Sequence, residues 1–340
     1  MSSLRPFFPL LVVAALLPAG PAGATTVRAF VASYGIDANA PGNCTLANPC
    51  RTLAAASTVV SAGGEIVILD TAGYGPVTIT QALTIEAPAG VYGGVAVAAG
   101  SDGIVVNAPG QIVRLVGLTI VGAAGANNGV NVLNAHSVVL RDCTIASMTN
   151  GISVTAGDVF LEQSNVTLST NNDLQLLPTT FSATGTSASA YVLDSVLGRN
   201  GNDGIYATDG TAVAVRNSVI TGSTSHSIQM TTASSHLSLL SVDTSLLTGS
   251  VTGAHILLQS GGVAADLISA RIRQSTTQYG ATGLELVGGA GSTFAYLDDD
   301  TFENHTTGIS NAGTVLSYQN NRITATTAIS GTALGTATSY

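Results

Sequence analysis

The chain has 340 residues, 45% hydrophobic and only 9% charged, and its 10 basic residues, all Arg, face 19 acids for a net charge of −9. So acidic a chain, with no basic cluster, excludes nucleic acid, where neutralised phosphates supply most of the affinity, and disfavours anionic membranes for the same reason. Its many aliphatic side chains also exclude a disordered chain and point to a folded, β-rich polypeptide.

Residues 1–24 read as a secretory signal. Arg5 supplies a basic start, Phe7 to Leu17 an apolar run too short to span a bilayer, and Ala22-Gly23-Ala24 a small-residue cleavage site. Cleavage near Ala24 predicts a secreted protein, extracellular or periplasmic, and no later stretch predicts membrane insertion. Residues 25–64 read as an N-terminal cap: a strand at Val27 to Val31, a loop from Gly35 to Pro49, and a short amphipathic helix within Arg51 to Ser61, ended by Gly63-Gly64. Cys44 and Cys50 flank a turn-rich loop in a chain bound for an oxidising compartment, which predicts a disulfide. Cys143 has no partner left and reads as a small buried side chain.

From residue 65 to 328 the chain repeats itself. A short opener, best seen as Gly151-Ile152-Ser153-Val154, recurs from Gly103, Gly129, Gly151, Asp173, Gly204, Ser227, His255, Gly283 and Gly308, at intervals of 22 to 31 residues. After each comes a second apolar stretch such as Val138-Val139-Leu140, a short polar break, and a third such as Thr144-Ile145. Three short strands per repeat with no helix between them predict an all-β solenoid of about ten coils, closed at its N-terminal end by the capping helix. Residues 329–340 are expected to form a flexible tail.

Two columns emerge when the repeats are stacked. The break between second and third strands places Gly117 over Asp142, Gln163, Asn217, Asp299 and Asn320, a column dominated by Gly, Asn and Asp, the types that tolerate a left-handed backbone turn. Asp102, Asn128, Asn150, Asn172 and Asp203 precede the openers and predict a ladder of hydrogen-bonded side chains from coil to coil. Asp300 aligns with the inward-facing Cys143 and Ser164, and so is expected to be buried beside Asn321.

This repeat, with its capping helix, resembles the right-handed parallel β-helix of the pectin-lyase-like superfamily. The run Val31-Ala32-Ser33-Tyr34-Gly35-Ile36-Asp37-Ala38-Asn39, with Pro49-Cys50-Arg51-Thr52-Leu53, looks like the start of secreted bacterial β-helix repeat proteins of mostly unknown activity. The resemblance implies an outer groove along the first strands, where the superfamily's polysaccharide enzymes build their sites. By alternation that face carries Asn131, Ser153, Gln175, Tyr206, Gln229, Leu257, Glu285 and Ser310. Glycoside hydrolysis needs two carboxylates roughly 5–10 Å apart, and Glu285 has no such companion there. The polygalacturonase motifs Asn-Thr-Asp, Gly-His-Gly and Arg-Ile-Lys, and the lyase motifs Trp-Ile-Asp-His and Arg-x-Pro-x-x-Arg, are absent.

The leading reading is a polysaccharide-binding β-helix protein without a recognisable catalytic site, using Asn131, Ser153, Gln175, Tyr206 and Gln229. The alternative is a polysaccharide lyase or glycoside hydrolase, with Arg199, Asp203, Asp209 and Glu285 as candidate catalytic residues. A third reading is a surface adhesin or structural spacer. No cofactor is expected. Asp173, Asp203 and Asp209, in an oxygen-rich loop region, are the candidate Ca²⁺ ligands, against the plainer reading of a solvated Asn/Gly turn.

Overall fold

The computed structural model describes residues 26–181, 187–233, 236–249, 252–261, 267–288 and 292–337, so the expected signal segment lies outside the described residues. All strands belong to one continuous, all-parallel sheet that winds into stacked coils of three faces. The first face keeps unbroken register from Thr78 through Val105, Asn131, Ser153, Gln175, Tyr206, Gln229, Leu257, Glu285 and Ser310 to Ser330. Every opener therefore falls at the same corner of its coil.

Alternation along each strand sends one set of side chains inward, where they stack in files along the axis. The second face contributes Leu115, Leu140, Leu161, Val192, Val215, Val242, Ile272 and Leu297. The third contributes Ile120, Ile145, Val166, Leu197, Ile220 and Leu247. All of these are essentially unexposed. Each coil rests on identical or near-identical neighbours, so the core is continuous along the rod.

The corners explain the polar breaks. Between second and third faces the left-handed residue is Gly117, Asp142, Gln163, Asp194, Asn217, Thr244, Gln274 and Asp299 in successive coils. In the last coil Gln319 (φ 65°) adopts this conformation instead of the expected Asn320. Asn320 is engaged through its side chain, whose Oδ1 accepts the Asp299 N–H at 3.0 Å and whose Nδ2 donates to Asp298. A second left-handed column, unforeseen, follows the third strands at Ser147, Leu168, Arg199, Gly222, Gly249, Tyr279 and Asn304.

At the corner before the first face the opener glycines are required by space. A Cβ on Gly151 would lie 2.2 Å from Val166 Cγ1 and 2.4 Å from the Asp173 carbonyl oxygen. Asp173, Ser227 and His255 occupy the equivalent place in other coils and are fully buried there.

The N-terminal end is capped as expected, by a shorter helix, Leu53–Ser57, whose Leu53 and Ala56 are buried. Thr52 caps it by accepting the Ala55 N–H at 3.1 Å, and Asp37 holds the entry by accepting from the Arg51 and Thr52 backbones. The Cys44–Cys50 disulfide is formed, and Cys50 ties the loop back by hydrogen bonds with Phe30 and Ala32. At the other end the last long strand, Arg322–Gly331, runs past residue 328, and residues 335–336 pair with 316–317. The segment expected as a tail from 329 thus supplies part of the final coil.

Candidate functional site

The predicted ladder at the third-to-first corner is present. Asn128 Nδ2 donates to Asp102 Oδ1 at 2.8 Å, Asn150 Nδ2 to Asn128 Oδ1 at 3.1 Å, and Asn171 Nδ2 to Asn150 Oδ1 at 2.9 Å. Asn171, rather than Asn172, continues this row. Asn172 Oδ1 instead accepts the backbone N–H of Asp203, and the Asp203 carboxylate accepts both the backbone N–H and the Nδ1 of His226, the latter at 2.9 Å. The ladder aligns the edge of the first face coil by coil.

On that face, Asn131, Ser153, Gln175, Tyr206 and Gln229 stand on consecutive coils, about 4.8 Å apart. The row has two halves. Asn131 Nδ2 donates to Asp102, Gln175 Nε2 to Ser153 Oγ at 3.0 Å, and Asn172 Nδ2 to Gln175 Oε1, so these polar groups hold one another. Tyr206 and Gln229, half-buried on adjacent coils, leave phenol and amide without a partner among the described residues. Leu257 separates them from Glu285.

The candidate catalytic residues are not brought together. Arg199 is exposed at a left-handed turn. Asp203 is fully buried and bonded to His226, at the start of its strand. Asp209 lies past the other end of that strand, accepting the Ala233 N–H at 2.8 Å. Glu285 is three coils from Tyr206, about 14 Å away along the axis. No two of these carboxylates span a bond at the separation hydrolysis requires.

The Ca²⁺ candidates diverge as well. The Asp173 carboxylate is buried and accepts Asn200 Nδ2 at 2.8 Å; burial pushes it up to about 7, against the hydrogen bonds it receives. Asp203 faces Asn202 and His226, and Asp209 is remote from both. Among the described residues no group of three His, Cys, Asp or Glu side chains is placed to hold a metal ion.

Two buried polar arrays were invisible to strand-by-strand reading. At the second-to-third corner, Ser164, Ser195, Ser218, Ser245 and Ser275 form a file in which each hydroxyl accepts the backbone N–H of the residue in the coil before and donates to the carbonyl two residues back in its own chain. Cys143 heads the file, and Asp300 and Asn321 finish it: Asp300 Oδ1 accepts the Ser275 N–H and Asn321 Oδ1 the Asp300 N–H. Asp300 is buried beside Asn321, as the alignment predicts, and burial raises it to about 7. The second array is a histidine pair. The Nδ1 of His255 meets Ser227 Oγ and its Nε2 donates to the Gln278 carbonyl, its ring 5.3 Å from that of His305, which bonds Thr277. Burial, then the neighbouring His305, lowers His255 to about 4. Its ring is a satisfied core group.

No protein family and no curated protein matches the chain by sequence. Solved structures do match. The GH136 lacto-N-biosidase from Eubacterium ramulus superposes with a TM-score of 0.50 at 12% identity, over 88% of this chain and 68% of that one. Pectate lyase Pel9A follows at 0.46 and 12%, over 86% and 75%. The Dettilon tailspike protein stands at 0.46 and 14%, over 78% of this chain, which spans 62% of the tailspike. The chain folds as a right-handed parallel β-helix. At these identities the likeness concerns the fold, and the β-helix must be assigned a role from its own surface. No helix among its described residues is long and apolar enough to cross a membrane.

Proposed function

We propose that this β-helix is a secreted polysaccharide-binding protein that holds an extended glycan along its first face. The observation that carries the reading is the in-register row Asn131, Ser153, Gln175, Tyr206, Gln229. The hydrogen-bonded half of the row fixes the surface, and the free half offers a phenol ring with its hydroxyl and a primary amide on adjacent coils. Amides and hydroxyls match sugar hydroxyls, and a tyrosine ring matches the apolar face of a pyranose. Preorganised groups on a rigid sheet bind without the cost of ordering loops.

Catalysis is not part of this reading, because Asp203, Asp209 and Glu285 stand apart. The test is a glycan array run beside a depolymerisation screen that follows reducing ends and new unsaturated products. The reading expects retention of a glycan without product release, weakened by Tyr206→Ala and by Gln229→Ala. Product release by the wild type would replace it with the enzyme reading; attachment to cells with no glycan retained would replace it with the adhesin reading.

A further inference from the structure

The outer side of the second face carries a different surface. One file there runs Phe160, Tyr191, Ala214, Ser241, Arg271, Tyr296, Leu316, each in register with the next. Phe160 and Tyr191 stack with ring centroids 4.6 Å apart and planes within 7°. Phe160 therefore covers one side of the Tyr191 ring. On the other side the next two coils supply only a methyl and a hydroxymethyl group, so the aromatic stack stops abruptly at Ala214. The file resumes with Arg271 and Tyr296, three and four coils along, about 14 and 19 Å from Tyr191. A groove of about 400 Å³ fills the interval, with Tyr191, Arg271, Tyr296 and Tyr318 among its walls.

Arg271 is exposed and has no hydrogen bond or ion pair among the described residues. The next outward file shows the contrast: there Arg141 pairs with Glu162 and Arg273 with Asp243, at 2.7 and 2.8 Å. In a chain with 19 acids and 10 basic residues, an arginine beside a groove that has not collected a carboxylate of its own is available to an anionic ligand. Its planar donor fork suits a carboxylate in two-point contact.

We propose that this slot is a second binding site, for a uronate-containing oligosaccharide, with one sugar ring stacked on the free face of Tyr191, the chain crossing Ala214 and Ser241, and a carboxylate held by Arg271. The small residues are then the feature that makes the site, since a larger side chain at either would continue the stack and close the slot. The site lies on a different face from the row around Tyr206 and does not depend on it.

The test is calorimetric or array titration of the whole secreted chain with short galacturonate and mannuronate oligomers, beside their neutral galactose and mannose counterparts. The wild type is expected to prefer the acidic oligomers. Tyr191→Ala is expected to weaken binding about tenfold. Arg271→Gln should abolish the preference for the acid, and Ala214→Tyr, which removes nothing, should block binding by filling the slot. Leu46→Ala, an exposed residue of the N-terminal loop outside both surfaces, should leave uronate affinity within about twofold of wild type. Melting curves identify any variant that fails to fold, and Ala214→Tyr carries the test if Tyr191→Ala does not fold. Failure of the wild type to bind any uronate oligomer overturns the proposal. So does binding that is indifferent to Ala214→Tyr and Arg271→Gln; if that binding is lost on Tyr206→Ala, the glycan sits on the first face, which sustains the preceding reading and sinks this one.

Discussion

Replacing Ser218 by Ala tests the buried serine file at its centre. Ser218 is 2% exposed; its Oγ accepts the Ser195 N–H at 3.1 Å and donates to the Arg216 carbonyl at 2.8 Å. In the alanine variant the Arg216 carbonyl keeps the Asp194 N–H, at 3.2 Å. The Ser195 N–H is left with nothing, in a place water does not reach. Orphaning a buried donor costs about 1–3 kcal/mol, equivalent to roughly fivefold to 150-fold in an opening equilibrium. Equilibrium urea unfolding should show this loss, and amide hydrogen exchange should show it concentrated at Ser195. Ser218→Cys should cost less, because Cys143 already fills the head of the file with its Sγ 3.3 Å from the Arg141 carbonyl oxygen. Ser241→Ala, on the outer surface, should stay within about 0.5 kcal/mol of wild type. A Ser218→Ala protein as stable as wild type, with Ser195 equally protected, would refute the claim that the hydroxyl file holds this corner.

Three further outcomes follow from the same packing. Asp173 and Asp300 are raised by burial from 3.8 to about 7, so between about pH 4 and 7 the native state holds protons that the unfolded chain releases, and their contribution to stability falls as pH rises. His255, lowered from 6.5 to about 4, works oppositely between those two values. Melting temperature measured against pH should therefore decline less steeply towards pH 7 in Asp300→Asn, where Asp173 alone remains to release its proton; an unchanged profile would contradict the assignment. Gly151→Val forces a Cβ to within 2.4 Å of both Val166 and a backbone oxygen, and should lower stability by at least about 1–3 kcal/mol, whereas Gly42→Ala, with open space around it, should leave the melting curve unmoved. Reducing the Cys44–Cys50 bridge should cost about 2 kcal/mol by the entropy of so small a loop, read as a lower urea midpoint for Cys44→Ser.

The coil architecture was legible because the solenoid repeats one physical requirement many times. Six of the nine openers are glycine, where a Cβ would strike the third face, and each second-to-third corner turns through a left-handed residue, so Gly151 and Asp142 leave marks in the sequence. The same logic ran short where a side chain departs from its type: Thr244 and Gln274 turn the same corner as Asp142, yet neither residue type advertises a left-handed backbone. Gln319 took the turn expected of Asn320 because Asn320 is engaged with Asp298 and Asp299. The serine file was present in the letters as Ser195-Val196-Leu197, Ser218-Val219-Ile220 and Ser245-Leu246-Leu247, but its meaning depends on which backbone N–H lies one coil away. The surfaces were harder still. Alternation placed Asn131 to Gln229 on one face, but not which of them spend their polar groups on each other. The slot beside Tyr191 depends on the register of the second strands across coils whose repeat length varies, and no local pattern around Ala214 announces it. Asp203 and His226, 23 residues apart in sequence, become partners only through that stacking.

The central claim is the register itself, which decides both surfaces. In a protein carrying Tyr206→Cys and Gln229→Cys, the two positions lie in adjacent parallel strands and face outward together, at a separation a disulfide spans. Mass spectrometry of the oxidised, digested protein should find these two cysteines joined within one chain, while Tyr206→Cys with Ile228→Cys, which points into the core, should not join. The reverse pattern, or no 206–229 bridge under oxidation, would contradict the stacked-coil register and with it both binding surfaces.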